Sequence, residues 1–381
     1  MSDNNIPATW MRGGTSKGVF FLKSDLPEDP DERDSILLKV MGSPDPYGKQ
    51  IDGLGGATSS TSKIVIISPA TKSDCDVNFY FGAVSINKPL IDYSGTCGNL
   101  ASAVGIFAIE QGLVKPEKDG LIPISVWQEN QQQRYVVHTW VKDGKPLYQG
   151  DYTIAGVNGS ASPVTIEFLL PGLGAAHDVL PTFNPLDVLK VPGFGKIEAS
   201  LIAAGNPTIF VRAADLDISL CDIEKQLNAD SQLAELLESI RCIGAVAMNA
   251  APSPEYAREK QPATPKIALI GEATDFISSH GKVISASDQD LSARILSMGA
   301  VHHAFTGTGT IAAGVAAAIP DTIIAQHLGG VLAKSQSLKL GHPGGVIEVS
   351  AHVVQDNGCW IAKSASLTRT ARTLMKGQVF Y

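Results

Sequence analysis

The sequence has 381 residues, of which 44% are hydrophobic and 18% are charged, and its formal net charge is −8 at pH 7. A chain of this length exceeds the size at which a single core usually stops growing, so two domains are expected. The apolar content excludes a disordered chain, and the acidic balance with scattered cations argues against nucleic acid as a partner.

The N-terminal segment and the cysteines indicate the compartment. The segment MSDNNIPATW has an acid and no cationic region ahead of an apolar stretch, so it predicts no secretory signal. No uninterrupted run of about 18 apolar residues occurs, so no membrane span is expected. The odd number of widely spaced cysteines, without a C-x-x-C pair, fits free thiols in the cytoplasm.

The first half of the chain alternates short β-like runs with turns rich in Gly, Pro and Asp. Strands are predicted in GVFFL, SKIVIIS, VNFYFGAVSI, IPISVW and QRYVVHTWV. The segment CGNLASAVGIFAIEQGL has apolar residues at helical spacing and begins in the turn SGTCGN. Proline, glycine and asparagine concentrate in residues 182–195, which predicts domains of residues 1–185 and 186–381, with a last strand that could return to the first domain.

The second half repeats this organisation. KIEASLIAAGNPTIFV predicts two strands around a turn, residues 222–248 a polar helical region, and TPKIALI a further strand. HHAFTGTGTIAAGVAAAIP predicts a Gly/Thr turn that opens an apolar helix, followed by the strand pair GGVIEVSAHVV and CWIAKSASLT. A helix that is apolar on nearly all sides must be surrounded by other structure. We therefore expect an α+β fold of two pseudo-symmetric domains, each a β-sheet wrapped around a central helix, with the active site in the cleft between them.

Two helix starts and one loop are candidate anion sites. Unpaired N–H groups and the helix dipole attract anions to the turns SGTCGN and TGTGT, and a substrate with two or more carboxylates could bridge them. Glycine-rich turns without a ligand are the alternative interpretation. The segment MRGGTSKGVFF likewise suggests backbone wrapped around an anion.

Cys97 is the candidate thiol for chemistry, because it lies in the first of these turns and a helix start stabilises a thiolate. Cys75, Cys221, Cys242 and Cys359 are interpreted as small apolar fillers. No His/Asn arrangement marks a cysteine-protease nucleophile, so acid–base work on carbon is favoured.

Lys63 ends the run GGATSSTSK and begins the apolar run IVIIS. A lysine between small hydroxyl residues and a buried strand loses hydration, which lowers its pKa toward the range of a general base. A solvated lysine at a strand end is the alternative.

Five segments together resemble the 2-methylaconitate cis-trans isomerase family, often called PrpF, which is similar in fold to diaminopimelate epimerase and proline racemase. The resemblance covers essentially the whole chain, and its segments are MRGGTSKGVFF, GSPDPYGKQIDGLGGATSSTSK, DYSGTCGNLASAVG, AAGNPTIFV and GHPGGVIEV. It implies a cofactor-independent isomerase of a small unsaturated di- or tricarboxylic acid, with 2-methyl-trans-aconitate in propionate catabolism (the 2-methylcitrate cycle) as the first expectation. Allylic isomerisation of 3-methylitaconate or 4-oxalomesaconate is the alternative.

The same resemblance places the catalytic residues on Lys63 and Cys97. Diaminopimelate epimerase-like racemases use two opposed cysteines, whereas TGTGT here has Thr308 and no thiol, which disfavours a symmetric racemase. The expected step is proton removal by Lys63 to give a dienolate, then reprotonation with Cys97 as acid or helper. The expected carboxylate-binding residues are Arg12, Gly13, Gly14, Thr15, Ser16, Lys17, Ser60, Gly98, Asn99, Asn206, Thr208, Gly307, Thr308, Gly309 and Thr310.

Other classes are weighed against this one. The order of elements around GGTSKG does not match a P-loop, which requires a helix after the lysine. A non-catalytic carboxylate-binding protein of the same fold stays open. The adjacent His302 and His303 lack metal-ligand spacing and are interpreted as packing or hydrogen-bonding residues, while His342 in GHPGG is a weaker site candidate. No metal, membrane or nucleic acid is expected, and a homodimer is left open.

Overall fold

The computed structural model describes residues 4–169, 178–223, 226, 229–333 and 336–381. The chain forms two compact units, Met1–Glu167 with Thr368–Tyr381 and Phe168–Leu367. The first unit ends earlier than the boundary expected after residue 185. The reason is that the strand around residue 167 pairs with the last strand of the chain, which returns to this unit.

The first unit is built from antiparallel and parallel pairs of strands. Strand β1 pairs antiparallel with β2, β2 parallel with β3, β3 antiparallel with β4, β4 parallel with β6, and β6 antiparallel with β7. Its strands are β1 (Asn5–Gly13), β2 (Ser16–Leu22), β3 (Lys63–Pro69), β4 (Val77–Val84), β5 (Ile91–Asp92), β6 (Gly120–Gln128), β7 (Gln133–Lys142), β8 (Lys145–Pro146), β9 (Tyr152–Thr153), β10 (Ser160–Ala161) and β11 (Pro163–Leu169).

Two helices cover opposite faces of strands β1 to β3. Helix α1 (Pro30–Met41) begins with proline at its first turn and is capped by the Asp29 side chain, which accepts the Glu32 N–H at 2.8 Å. It packs on the face that carries Val19 and Ile64. Helix α2 (Gly98–Glu110) packs on the other face and is buried along nearly its whole length, as its apolar sequence predicted.

The second unit surrounds one apolar helix in the same manner. Helix α5 packs against β13, β20 and β21 and is buried throughout, while α3 packs against β12 and β15. Its helices are α3 (Ser231–Ala247), α4 (Pro254–Lys260), α5 (Gly307–Ala317) and α6 (Ile323–His327). Its strands are β12 (Asp187–Val191), β13 (Gly195–Ile202), β14 (Thr208–Arg212), β15 (Lys266–Glu272), β16 (Phe276–Ile277), β17 (Val283–Ile284), β18 (Leu291–Ser297), β19 (Ala300–Val301), β20 (Leu338–His342), β21 (Gly345–Asp356) and the first part of β22 (Cys359–Phe380).

Strand β22 is shared by the two units. Residues before Thr368 pair with β21 in the second unit, and residues from Ala371 onward pair antiparallel with β1 in the first. The last strand thus completes the sheet that carries the MRGGTSKG segment.

Most elements predicted from the sequence are confirmed, but several others were not predicted, among them β11, β12 and β18. The helical region predicted over residues 222–248 is a helix over Ser231–Ala247, and residues 224, 225, 227 and 228 lie outside the described residues. Strand β1 and helix α1 were not predicted: the first contains a proline, and the second is charged over its first half. Within the described part of the chain, no helix is both long and apolar enough to span a membrane.

Candidate active site

Cys97 is the N-cap residue of α2. Its backbone is extended, and its Sγ accepts the backbone N–H of Leu100 at 3.4 Å. The side chain is buried, with 8% of its surface exposed. The sulfur is therefore held at the positive end of a buried helix, where negative charge is stabilised.

Lys63 is the first residue of β3 and lies on the face that α2 covers. Its side chain is buried, and burial lowers the pKa of the Lys63 ammonium, an effect that the nearby Cys97 partly opposes. The Nζ atom lies 5.1 Å from the centre of the Phe81 ring, where the ring face partly replaces lost water. The structure thus brings together the two residues predicted to be catalytic, and it favours a neutral amine on one of them.

Two glycines let the MRGGTSKG segment lie directly against the start of α2. A Cβ at Gly13 would lie 2.4 Å from the carbonyl oxygen of Asn99, and one at Gly14 would lie 2.2 Å from Asn99 Oδ1. Gly14 also has φ of +50°, a conformation that favours glycine. Asn99 Nδ2 donates to Thr15 Oγ1 at 3.0 Å, so the side chain of Asn99 ties the loop to the helix.

Ser16 and Ser60 complete the predicted residues around this loop. The Lys17 N–H donates to the Ser60 carbonyl at 3.0 Å, which joins β2 to the segment ahead of β3. Ser16 pairs with Gly13 across the β1–β2 turn, so its side chain is on the face of α2. Its Oγ is buried and has no hydrogen-bond partner in the structure.

Arg12 and Lys17 lie on the opposite face of the sheet from Lys63. They are cross-strand partners. Lys17 lies on the same face of β2 as Val19, which packs with Ile64 under α1. Lys17 Nζ lies 4.7 Å from the centre of the Trp10 ring. Arg12 Nη1 donates to Gly14 O at 3.0 Å and to Thr370 O at 2.8 Å, and burial beside Arg372 lowers the pKa of Arg12 to about 10. In this structure Arg12 therefore holds the loop through its bond to Gly14, and Lys17 packs on Trp10.

Arg369 joins the site from the other end of the chain, and sequence reasoning missed it. Its Nε donates to Asn99 Oδ1 at 3.1 Å, and only 5% of its surface is exposed. The two residues are separated by 270 positions, so no local motif connects them. The available signal in the sequence was the presence of Arg369 within the strand-like segment CWIAKSASLTRTAR, where a buried cation would be unusual.

The second unit contains the other predicted turn. Thr306 is the N-cap residue of α5, and its Oγ1 accepts the Gly309 N–H at 3.2 Å. Thr310 Oγ1 donates to the Thr306 carbonyl at 2.9 Å. Gly307 and Thr308 form the first turn of this buried helix, so their positions are fixed by the helix start itself.

Asn206 and Thr208 lie beside this helix start. Gly205 has φ of +65°, and a Cβ there would lie 2.8 Å from the Thr308 carbonyl. Thr208 Oγ1 donates to the Asn206 carbonyl at 2.9 Å, which fixes the turn between β13 and β14. The predicted residues of the second unit are therefore neighbours of one another.

The histidines that the sequence singled out have structural contacts. His302 Nδ1 accepts the Ala304 N–H, and His342 Nδ1 accepts the Gly344 N–H, each at 3.1 Å. His302 and His303 stack with ring centres 4.7 Å apart. Across the described ranges, no group of three His, Cys, Asp or Glu side chains is arranged to hold a metal ion.

The fold is shared with a class of solved structures that includes an isomerase and an epimerase. A hydroxyproline epimerase from Agrobacterium vitis with bound trans-4-hydroxy-L-proline has a TM-score of 0.57 over 99% of this chain and 93% of that one, at 13% identity. A methylitaconate-delta-isomerase crystal structure has a TM-score of 0.77 at 37% identity, covering 100% of this chain and 96% of that one.

The sequence identifies the family within this class. The chain belongs to the PrpF protein family, whose model matches residues 3–381. It is 44% identical to the 2-methyl-aconitate isomerase of Shewanella oneidensis over 98% of this chain and 96% of that protein. It is 38% identical to the 3-methylitaconate isomerase of Eubacterium barkeri over 100% of this chain and 98% of that protein. The protein is an isomerase, as the resemblance implied.

Proposed function

We propose that this isomerase converts 2-methyl-trans-aconitate to 2-methyl-cis-aconitate by proton abstraction and reprotonation. The substrate is suggested by the two 2-methyl-aconitate isomerases, each 44% identical to this chain. The single structural observation that carries the mechanism is the burial of Lys63 near Cys97. Burial lowers the pKa of the Lys63 ammonium.

Lys63 acts as the base in this proposal. As a neutral amine it removes a proton from a carbon that is α or vinylogous to a carboxylate, and the amine becomes an ammonium. The electron pair left behind delocalises into a dienolate, in which the former double bond gains single-bond character and can rotate. Return of the proton to carbon then gives the other geometric isomer and restores the neutral amine, so the step needs no co-reactant.

Cys97 either reprotonates the carbon or stabilises the charge that moves during the reaction. In the first case the Lys63 ammonium then returns its proton to the Cys97 thiolate, so both residues recover their starting forms. Its position at the start of α2 keeps the sulfur next to the N–H groups of the first helical turn. Those N–H groups, at Gly98 and Asn99, are suited to hold a substrate carboxylate in which negative charge grows. Ser16 and the Gly13 to Thr15 loop line the same helix start, and we assign them to binding.

In the second unit, Asn206, Thr208 and the first turn of α5 are proposed to bind a further substrate carboxylate. Support comes from the buried helix start at Gly307 and Thr308, which offers N–H groups without any nearby acidic side chain in its sequence. The N–H groups of Gly309 and Thr310 already donate to Thr306, so the N–H groups of Gly307 and Thr308 are the ones proposed to receive the anion.

A second substrate is favoured by specific relatives. The methylitaconate-delta-isomerase structure and the 3-methylitaconate isomerase both match nearly the whole chain, so an allylic shift in 3-methylitaconate is the alternative. The 4-oxalomesaconate tautomerase of Pseudomonas putida is more distant at 33% identity. The same Lys63 chemistry serves all three, since reprotonation at the other end of the dienolate moves the double bond.

The test is an ultraviolet absorbance assay of the purified protein with 2-methyl-trans-aconitate, trans-aconitate, 3-methylitaconate and 4-oxalomesaconate. We expect the highest kcat/KM with the first acid, and a higher value with 3-methylitaconate would select the alternative. The same reactions run in heavy water test the proton transfer. Deuterium should appear in the product, and a fully isomerised product without deuterium would contradict solvent-exchanging deprotonation by Lys63.

A further inference from the structure

We infer that Arg369 is a carboxylate-binding residue of this site, and that its free Nη2 together with Ser16 Oγ receives one carboxylate of the substrate at the start of α2. The inference rests on the proposed function, since it takes the substrate to be a di- or tricarboxylate. It assigns a role to a residue that none of the sequence motifs contains.

Arg369 has an unmet hydrogen-bond donor. Its Nε donates to Asn99 Oδ1 at 3.1 Å and its Nη1 to the Thr368 carbonyl at 2.9 Å, so both of these bonds go to uncharged oxygens. Nη2 is buried and has no hydrogen-bond partner. A buried donor of a charged group that stays unpaired is costly, and such an atom is uncommon unless a ligand or ion completes it.

A second unpaired polar group lies on the same face of the sheet. Ser16 Oγ is also buried without a hydrogen-bond partner, and its cross-strand partner Gly13 lies against Asn99 and Leu100. Arg369 reaches the same place from β22. Ala371 pairs with Gly13, and Arg369, two residues earlier on the strand, lies on the same face as Ala371. Two unmet polar groups thus flank the first turn of a helix of 13 residues.

Two buried cationic side chains at the site have lowered pKa values. Burial lowers the pKa of Arg369 to about 10, which reports an environment that disfavours the cation. Lys63 is buried on the same face, and its pKa is also lowered by burial. A bound carboxylate would offset the cost of burying the guanidinium, and planar guanidinium groups hold carboxylates through two donors.

The other cations near this loop, Arg12, Lys17 and Arg372, are directed away from the start of α2. Arg12 and Lys17 lie on the face of α1, and Arg12 Nη1 is already bonded to two carbonyls. Arg372 is three residues from Arg369 and is the cross-strand partner of Arg12, so its side chain lies on the face of α1. Arg369 is therefore the arginine of this strand that is directed to α2.

The test measures binding of tricarballylate, a saturated tricarboxylate that cannot isomerise, by isothermal titration calorimetry. Relative to wild type, Arg369→Gln should weaken binding by about 10- to 100-fold, the range expected for a lost hydrogen bond to a charged group. The matched control is Arg372→Gln, which removes the same charge from the other face of the same strand and should stay within about 2-fold of wild type. Arg369→Lys should be intermediate, because it retains the charge without the planar donor pair.

Equal affinity of Arg369→Gln and wild type, with unchanged thermal unfolding midpoints, would overturn the inference. If Arg369→Gln lowers the unfolding midpoint without ligand, Arg369→Lys decides: it should raise KM more than it lowers kcat, and the reverse pattern would contradict direct binding. Tricarballylate should raise the unfolding midpoint of wild type more than that of Arg369→Gln or Arg369→Lys. Arg369-dependent binding with no turnover of any acid in the panel would leave this inference standing and reject the proposed function.

Discussion

Gly18 makes room for Lys63. A Cβ at Gly18 would lie 2.8 Å from the Lys63 carbonyl oxygen and 3.2 Å from the Lys63 Cβ, on the neighbouring parallel strand. Leu100 Cδ1 would lie 2.9 Å away on the helix side. The last glycine of MRGGTSKG therefore serves the placement of the proposed base.

Gly18→Ala tests this relationship. Because the added methyl meets the backbone of β3, Lys63 must shift, and we expect kcat to fall by about 10- to 100-fold with a smaller change in KM. Gly377→Ala is the matched control, since a Cβ at this strand glycine would meet nothing within 4 Å. Steady-state kinetics of both variants measure the effect, and equal kcat for the two would contradict it.

Replacing Lys63 removes the proposed base. We expect Lys63→Met to lower kcat by about 10² to 10⁴, the usual contribution of a positioned acid or base. The exposed Lys118→Ala serves as the control and should have wild-type kinetics. Circular dichroism of Lys63→Met checks that its fold is retained, and a folded variant with wild-type kcat would exclude Lys63 as the base.

The same substitution should also change the pH dependence of stability. Burial holds the pKa of Lys63 below its unfolded value of 10.5, so the penalty for burying its charge is complete below the folded-state pKa and disappears as pH rises to about 10.5. Lys63→Met should therefore be more stable than wild type near pH 7, and the difference should shrink with rising pH. Urea unfolding across this range measures it, and a difference that grows with pH would oppose the burial argument.

The pH profile of activity depends on the same group. In the proposed mechanism the neutral amine is the active form, so kcat/KM should rise with pH through the lowered pKa of Lys63, with a midpoint below 10.5. A profile that falls over this range would require the protonated form instead. Cys97 raises the pKa of Lys63, so Cys97→Ser should move the midpoint to lower pH.

Cys97→Ser should reduce kcat as well as move the profile. A serine hydroxyl keeps a cap for α2 but is a far weaker acid than a thiol, so we expect a loss of about 10² or more with little effect on folding. The exposed, free Cys221 provides the control as Cys221→Ser. A wild-type rate for Cys97→Ser would limit Cys97 to a structural cap.

Gly14→Ala tests whether the loop must lie against Asn99. The new Cβ would come within 2.2 Å of Asn99 Oδ1 at a residue with φ of +50°. We expect a loss of about 1 to 3 kcal/mol in unfolding free energy and a higher KM, because the loop moves away from α2. Gly112→Ala has a similar φ of +73° and open space around it, so it carries the backbone strain alone and should leave KM unchanged.

Local patterns predicted much of the fold and part of the site. The two buried helices, the turns that begin them and most of the longer strands were predictable from periodicity and small-residue turns, which are properties of neighbouring residues. Lys63 and Cys97 each stand at the start of such an element, so their burial was predictable from the apolar residues that come after them in the chain.

The remaining features depend on pairing between distant strands. The sequence grouped Arg12 and Lys17 with the binding loop, yet side chains alternate along β1 and β2, and β1 was not predicted. Arg369 meets Asn99 only because β22 returns to β1. Neither relationship has a signal within a short window of sequence.

The course of strand β22 has a consequence for biosynthesis. One edge of β1 pairs with residues near Phe380, so it has no partner while the intervening chain is still being made. During that interval the nascent first unit exposes an unpaired strand edge beside apolar residues, a state prone to wrong pairing and aggregation. The unit whose first strands are made early is therefore completed late, and the loop between β1 and β2 gains its anchor at Thr370 only after β22 has been made.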